Sequence, residues 1–348
     1  MDSVKFKYLV EYIWLDGKQK LRGKTRIIEK ELTLYNDITL DSISKWNYDG
    51  SSTGQSDGSY SEVILRPVKL YNNPFNHFIG IKSYIALCDT WNPDGTPHST
   101  NTRIIAEERF NQYPELQPWF GIEQEFFIID PKTKLPLGFT ADGKAVPQGK
   151  YYCSIGASSC YGRNIVNKAL ENCLISDLNI TGLNMEVAPG QSELQIRDVG
   201  INAADGLILL RYILSRTAEE YGYDIDYSAK PVKGDWNGSG CHVNFSTLPM
   251  REDEGYQYIM KAILKLEKNH KEHLEVYGND NHQRLTGLHE TSSMERFTYG
   301  VGNRETSIRI PNETLENYKG YFEDRRPSSS MDPYLVTSII YKTTTTLD

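Results

Sequence analysis

From Lys5 to Trp14 the even positions, Phe6, Tyr8, Val10, Tyr12 and Trp14, are all large and apolar or aromatic. Successive side chains of a strand point to opposite faces, so this alternation predicts a strand with one buried face. Asp16-Gly17 supplies turn residues and Leu21–Ile28 a returning strand, so a hairpin opens the chain. Strand-like pieces follow at Glu62–Pro67 and Tyr84–Asp89, with no long helical pattern in the first hundred residues. This part reads as a small β-rich domain. Trp91–Ser99, rich in Pro, Gly and Asn, reads as a connection. Ser99 or Thr100 then caps a helix that runs to about Tyr113 and stops before Pro114. Helical spacing recurs in Asn202–Tyr221, ended by Gly222, and in Ile259, Ala262, Ile263, Leu266 and Leu274 before Gly278. The second part is therefore α plus β, and Thr343–Asp348 reads as a polar tail.

Composition narrows the function classes. With 348 residues, 39% hydrophobic and 24% charged, the chain is long enough for a large domain and a smaller one. No apolar run approaches the roughly 18 residues of a membrane span. The start, Met1-Asp2-Ser3 with Lys5 and Lys7, lacks the apolar core of a signal peptide. Cys88, Cys153, Cys160, Cys173 and Cys241 are odd in number and contain no CxxC, which predicts reduced thiols and a cytoplasmic setting. A net charge of −8 argues against a nucleic-acid surface but leaves room for anionic substrates at local arginines or metal ions.

Neither GxxxxGK[ST] nor GxGxxG occurs, so a nucleotide must be held in another way, such as through carboxylate-bound metals. In Gly121–Phe127, GIEQEFF, Glu123 and Glu125 share one strand face while Ile122, Phe126 and Ile128 take the other. Taken alone, such a pair fits a solvated face as well as a metal site. In Asn184–Ile196, NMEVAPGQSELQI, Pro189-Gly190 turns the chain, and Glu186 and Glu193 both leave the apolar face. Like charges across a hairpin repel without a cation, and two such pairs in one domain favour oxygen-liganded Mg²⁺ or Mn²⁺. Gly234–Thr247, GDWNGSGCHVNFST, sets a glycine loop before a polar row of His242, Asn244 and Ser246. Glu323 shares a strand face with Arg325 in GYFEDRRP, and Arg304, Arg309, Arg325 and Arg326 form a dense set suited to carboxylate and phosphate. For any one of these arginines a surface ion pair is the ordinary role.

Beyond these residues, whole motifs match a known family. WNYDGSSTGQSDGSYSEVIL from Trp46, YGRNIVNKALENC from Tyr161, WNGSGCHVNFST from Trp236, LTGLHETSS from Leu285 and GYFEDRRPSSSMDPY from Gly320 stand in order with GIEQEFF. The chain thus resembles glutamine synthetase of the eukaryotic type (type II) over nearly its whole length. The resemblance implies an α+β protein, with a β-grasp domain at residues 5–98. A catalytic α/β partial barrel of the glutamine synthetase/guanido kinase-like kind follows at residues 102–348. It implies ATP-dependent ligation of ammonia to the γ-carboxylate of L-glutamate through γ-glutamyl phosphate, giving L-glutamine, ADP and phosphate. It also implies a homo-oligomer with sites between subunits, here a decamer of two pentameric rings.

By matching motifs, Glu125, Glu186 and Glu193 would hold one divalent ion and Glu123, His242 and Glu323 a second, with two to three ions per site. Asn237, Gly238, Arg284, Arg304 and Arg325 would bind glutamate, with Arg325 near the transferred phosphoryl group. ATP would meet Trp119, Asn244, Ser246, Arg304, Arg309 and Tyr321. Glu290 would close the site over glutamate, and Asp49 of the neighbouring subunit would deprotonate ammonium. Two departures stand out. Ser192 replaces the family's usual aromatic, and Arg197-Asp198 replaces a Gly-Pro, both beside expected metal ligands. Competing readings are a non-catalytic homologue, which would be marked by lost ligands, and a ligase for another amine. A guanidino kinase is a third, but it would leave the N-terminal motif unexplained.

Overall fold

The computed structural model describes residues 4–32, 37–76, 80–140, 142–145 and 147–346. Residues 1–3 and 347–348, which belong to the leader and tail readings, lie outside these. The chain divides into two compact units, Met1–Ile105 with Asn172–Leu178, and Ala106–Glu171 with Asn179–Asp348.

In the first unit, β1 (Val4–Leu15), β2 (Leu21–Leu32), β3 (Trp46–Asp49), β4 (Glu62–Asn72) and β5 (Lys82–Trp91) form one sheet in the order β2-β1-β5-β4-β3. The alternation of the sequence becomes a buried row: Tyr8, Val10, Tyr12 and Trp14 pack with Leu65, Tyr84, Ala86 and Cys88. Phe6 is less covered. Each fully buried side chain of this kind contributes about 1.5–3 kcal/mol relative to exposure. The polar tip of Tyr12 is satisfied by donation to the Ser44 carbonyl at 2.8 Å. β4 continues past Pro67, where the sequence reading stops it. The register with β5 shifts between Pro67 and Lys69, and this bulge absorbs the missing N–H of the proline.

The second unit is built on a larger sheet. β6 (Trp119–Asp130), β8 (Ile180–Met185), β9 (Gln191–Val199), β11 (Cys241–Ser246), β12 (Tyr299–Val301), β13 (Ile308–Ile310) and β14 (Phe322–Asp324) follow the order β12-β13-β14-β11-β6-β9-β8. The short β7 (Leu135–Pro136) and β10 (Asp224–Asp226) also pair with β6. The helices are α1 (Thr102–Phe110), α2 (Arg163–Ile175), α3 (Ile201–Glu220), α4 (Leu248–Arg251), α5 (Gly255–Lys268), α6 (His270–Val276), α7 (Asn312–Asn317) and α8 (Pro333–Thr345). α3 is apolar on most of its surface and correspondingly buried, packing on β9, β6 and α8. Phe120, Ile122, Phe126 and Ile128 turn the even face of β6 into core, which leaves the odd face for Glu123 and Glu125.

Other details also depart from the sequence reading, and α1 ends at Phe110 rather than near Tyr113. The single helical row before Gly278 is two helices, interrupted at Asn269, whose side chain donates to the Lys265 carbonyl at 2.8 Å. Thr343–Thr345 is the last turn of α8 rather than a tail. Its Thr344 and Thr345 hydroxyls donate to the Ile340 and Tyr341 carbonyls, and Asp332 with Pro333 caps its start. β14 ends at Asp324, so Arg325 lies just beyond the strand and not on it.

Candidate active site

β6 lies between β9 and β11, in a register that pairs Glu125 with Glu193, Glu123 with Gln195, and Glu123 with His242. On the far side of β11, Glu323 of β14 pairs with Asn244 and, through β13, with Arg309. Glu186 joins from the turn after β8, closed by its N–H to the Gln191 carbonyl at 3.0 Å. Gly190 has φ +71°, and a Cβ there would stand 2.7 Å from the Leu137 carbonyl oxygen, so the turn requires glycine. Glu123, Glu125, Glu186, Glu193, His242 and Glu323 line a cavity of about 220 Å³.

Its electrostatics are unbalanced. Burial, and then the neighbouring Glu125, push the Glu186 carboxyl up to about 8. Burial together with Glu123, Glu125 and Glu186 pushes Glu193 up to about 9. Glu125 is also raised by burial, although Arg284 and the Gly240 N–H at 2.9 Å oppose the shift. Burial, and next Arg325, hold the His242 imidazole well below its usual value, so it is neutral, the form that binds metal. Its Nδ1 stands 3.4 Å from both Glu123 and Glu323. One ligand atom each from Glu123, Glu193 and His242 lie within 4.8 Å of one another, a group that takes members of both triads expected from the sequence.

Arginines line the same cavity and contact these groups directly. Arg284 is buried, which lowers it to about 10, and donates to His242 Nε2 at 2.9 Å. Arg325 donates to Glu323 Oε1 at 2.7 Å, to the Arg304 carbonyl at 3.1 Å and to the Glu290 carbonyl at 3.3 Å. One guanidinium thereby ties together a strand end and two loops. Arg309 also pairs with Glu323. Arg304, Asn237, Gly238 and Glu290 line the same cavity. Gly238 has no room for a Cβ, which would sit 2.5 Å from the Ala229 carbonyl oxygen. Glu290 and His289 both hold positive φ, at +58° and +55°, a strained pair at the rim.

Of the residues expected at ATP, Arg304 and Arg309 line the cavity, and Trp119, Asn244, Ser246 and Tyr321 do not. Asn244 donates to Glu123 Oε1 at 2.8 Å, Ser246 accepts from Arg251 at 2.9 Å, and Arg251 lies 4.3 Å from the centre of the half-exposed Trp119 ring. Tyr321 is 37% exposed. Asp49 belongs to the other unit, where it caps the turn Gly50–Thr53. The hydroxyls of Ser51 and Ser52 donate to it at 2.6 and 2.5 Å and lower its carboxyl.

Residues 98–260 match the catalytic domain of glutamine synthetase. Over 348 residues the chain is 44% identical to the cytosolic isozyme of glutamine synthetase from Pinus sylvestris, covering 99% of this chain and 95% of that one. It is 47% identical over 344 residues to glutamine synthetase N-1 of Phaseolus vulgaris, covering 97% and 94%. The chain belongs to the glutamine synthetase family. A chloroplastic/mitochondrial glutamine synthetase of Arabidopsis thaliana is 46% identical over 342 residues, 97% of this chain and 78% of that one, so family membership does not fix a compartment. Among the described residues no helix is long and apolar enough to cross a membrane.

Glutamine synthetase family membership implies divalent metal, and the donor set fits it. Buried carboxylates pushed to about 8 and 9 lack matching positive charge, and hard oxygen donors with one imidazole suit Mg²⁺ or Mn²⁺. Tyr152, Asn184, Gln195, His289 and Thr291 also line the cavity, and the sequence reading did not single them out. Two of them left a signal, since Asn184 and Gln195 lie two residues from Glu186 and Glu193. Tyr152 and His289 sit in irregular loops, where no period points to them.

Proposed function

We propose that this chain is a glutamate–ammonia ligase whose second unit carries the metal and phosphoryl chemistry, with residues 5–98 as its β-grasp domain and 102–348 as its catalytic domain. The observation that carries this reading is the facing of unmatched, buried carboxylates by Arg284, Arg304, Arg309 and Arg325 in one cavity. Glu125, Glu186 and Glu193 would hold one divalent ion and Glu123, His242 and Glu323 another, Mg²⁺ or Mn²⁺ at two to three per site. Bound there, such ions neutralise the charge of phosphoryl groups.

Glutamate is held by Asn237, Gly238, Arg284, Arg304 and Arg325, and ATP by Trp119, Asn244, Ser246, Arg304, Arg309 and Tyr321. A free carboxylate is a poor acyl donor. The γ-carboxylate oxygen therefore attacks the γ-phosphorus of ATP, the bond to ADP breaks, and γ-glutamyl phosphate forms. Arg325, which donates to three acceptors of the chain, stabilises the transferring phosphoryl oxygens. Ammonium loses a proton to Asp49 of a neighbouring subunit, and the resulting ammonia attacks the acyl carbon. The carbon–oxygen bond to phosphate breaks, the phosphate leaving with the proton that the new amide nitrogen sheds. The Glu290 loop excludes water meanwhile. The working form is a cytoplasmic homo-oligomer, a decamer of two pentameric rings. Phosphate release from ATP tests the reading: it should require glutamate, ammonium and Mg²⁺ or Mn²⁺ together. Equal release without ammonium or without glutamate overturns it.

A further inference from the structure

Four carboxylates of the cavity each accept a hydrogen bond from a side-chain amide. Glu186 accepts from Asn184 at 2.7 Å, Glu193 from Gln195 at 2.6 Å, Glu125 from Gln191 at 3.1 Å and Glu123 from Asn244 at 2.8 Å. Glu323 differs, since its donors are the guanidinium groups of Arg325 and Arg309. A carboxamide orients a carboxylate without bringing a positive charge that an incoming cation would have to displace.

Gln195 is held in an unusual way. The pairing of β8 with β9 shifts register between Ile180 and Gly182, so that Gly182 comes opposite Gln195. A Cβ on Gly182 would lie 2.4 Å from Gln195 Oε1 and 2.9 Å from its Cδ. Gly182 is not among the glycines with positive φ, so its backbone does not call for glycine. The space it leaves is filled by the carbonyl end of the Gln195 amide, which turns the NH₂ end to Glu193 Oε1. We propose that Gln195, seated in the slot left by Gly182 at the β8 bulge, is a positioning residue that orients Glu193 for a divalent cation. This rests on the metal-binding role of Glu193 given above.

Gly182→Ala is the revealing substitution. Its methyl group meets the far end of a flexible side chain, so the fold tolerates it while the amide leaves Glu193. The test is calorimetric titration of the full-length folded protein with Mn²⁺, alongside its urea midpoint. Gln195→Ala should weaken Mn²⁺ binding by roughly 10–100-fold, the range for groups that orient metal ligands. Gly182→Ala should weaken it in the same direction by a smaller factor, with an unchanged urea midpoint, and saturating Mn²⁺ should restore its maximal rate. The double variant should match Gln195→Ala alone, because no amide remains to be pushed. Should Gln195→Ala fail to fold, Gln195→Met, which keeps the length and lacks the donor, takes its place. Wild-type affinity in Gly182→Ala, or losses that multiply in the double variant, would overturn the proposal. A wild-type protein that binds no Mn²⁺ would instead overturn the metal site itself.

Discussion

The two faces of β14 carry two buried polar clusters of opposite character. Glu323 faces the cavity, where Glu186 and Glu193 sit at about 8 and 9 with amides as their donors. Asp324, its neighbour in the strand, points the other way into a cluster that is closed in charge. Arg326 grips it in bidentate fashion at 2.9 and 2.6 Å, and the Tyr277 hydroxyl donates at 2.6 Å. Burial alone would raise Asp324, yet Arg326 and Tyr277 hold it below the usual carboxylate range. Arg326 also lies 5.0 Å from the ring centres of Tyr277 and Phe297, and His273 bonds Tyr277 at 2.6 Å and Thr343 at 2.8 Å. Both clusters are buried. What separates a site from a brace is whether the charge is already answered within the chain.

The largest expected effect breaks the open cluster. Glu193→Ala should reduce glutamine formation by roughly 10²–10³-fold, as when one preorganised electrostatic group is lost. The metal-free protein should be no less stable, because a carboxylate crowded by like charges is gone. A clear fall in the urea midpoint of metal-free Glu193→Ala would place Glu193 with the brace. The converse holds for Arg326→Met, which strands Asp324 as a buried charge and should cost about 3–5 kcal/mol in urea denaturation. A loss under 1 kcal/mol would erase the contrast between the two faces.

A smaller effect is pH-dependent and belongs to the brace. Burial, with Arg326 nearby, depresses the His273 imidazole to about 3. The unfolded chain takes up that proton near the ordinary histidine value of about 6.5, whereas the native state stays neutral. Stability therefore falls as pH drops from about 6.5 towards 3, by about 2 kcal/mol at pH 5. His273→Gln should flatten this limb of the urea midpoint against pH, and an equally steep limb would mean that His273 does not drive it.

Much of this contrast was readable in the residues. Period two put Glu123 and Glu125 opposite Ile122 and Phe126, and the Pro189-Gly190 turn brought Glu186 and Glu193 towards the same sheet face. The motif around GYFEDRRP pointed to Glu323 but left Arg326 in one arginine set with Arg304, Arg309 and Arg325. In a three-residue strand the reversal between Glu323 and Asp324 decides the partner, and a pattern that short carries little periodicity. The break at Asn269 and the helical Thr343–Thr345 were hidden for a related reason. Threonine-rich ends are poor helix formers alone, and here buried neighbours in α8 set the outcome. The Gly182 slot was equally out of view, because a register shift belongs to two strands at once.

The order β14-β11-β6-β9 also has a consequence in time. The cavity's carboxylates are drawn from separate stretches of chain between Glu123 and Glu323, and each becomes a neighbour of the next only when its strand docks. Closing such distant loops is a slow part of folding, and it yields little until the contacts are made. A divalent ion offered to the unfolded chain meets scattered glutamates and, at most, the local hairpin of Glu186 and Glu193. The strand order thus makes the site a product of long-range pairing, and a divalent ion would act as a lock on the finished sheet and not as a seed for it.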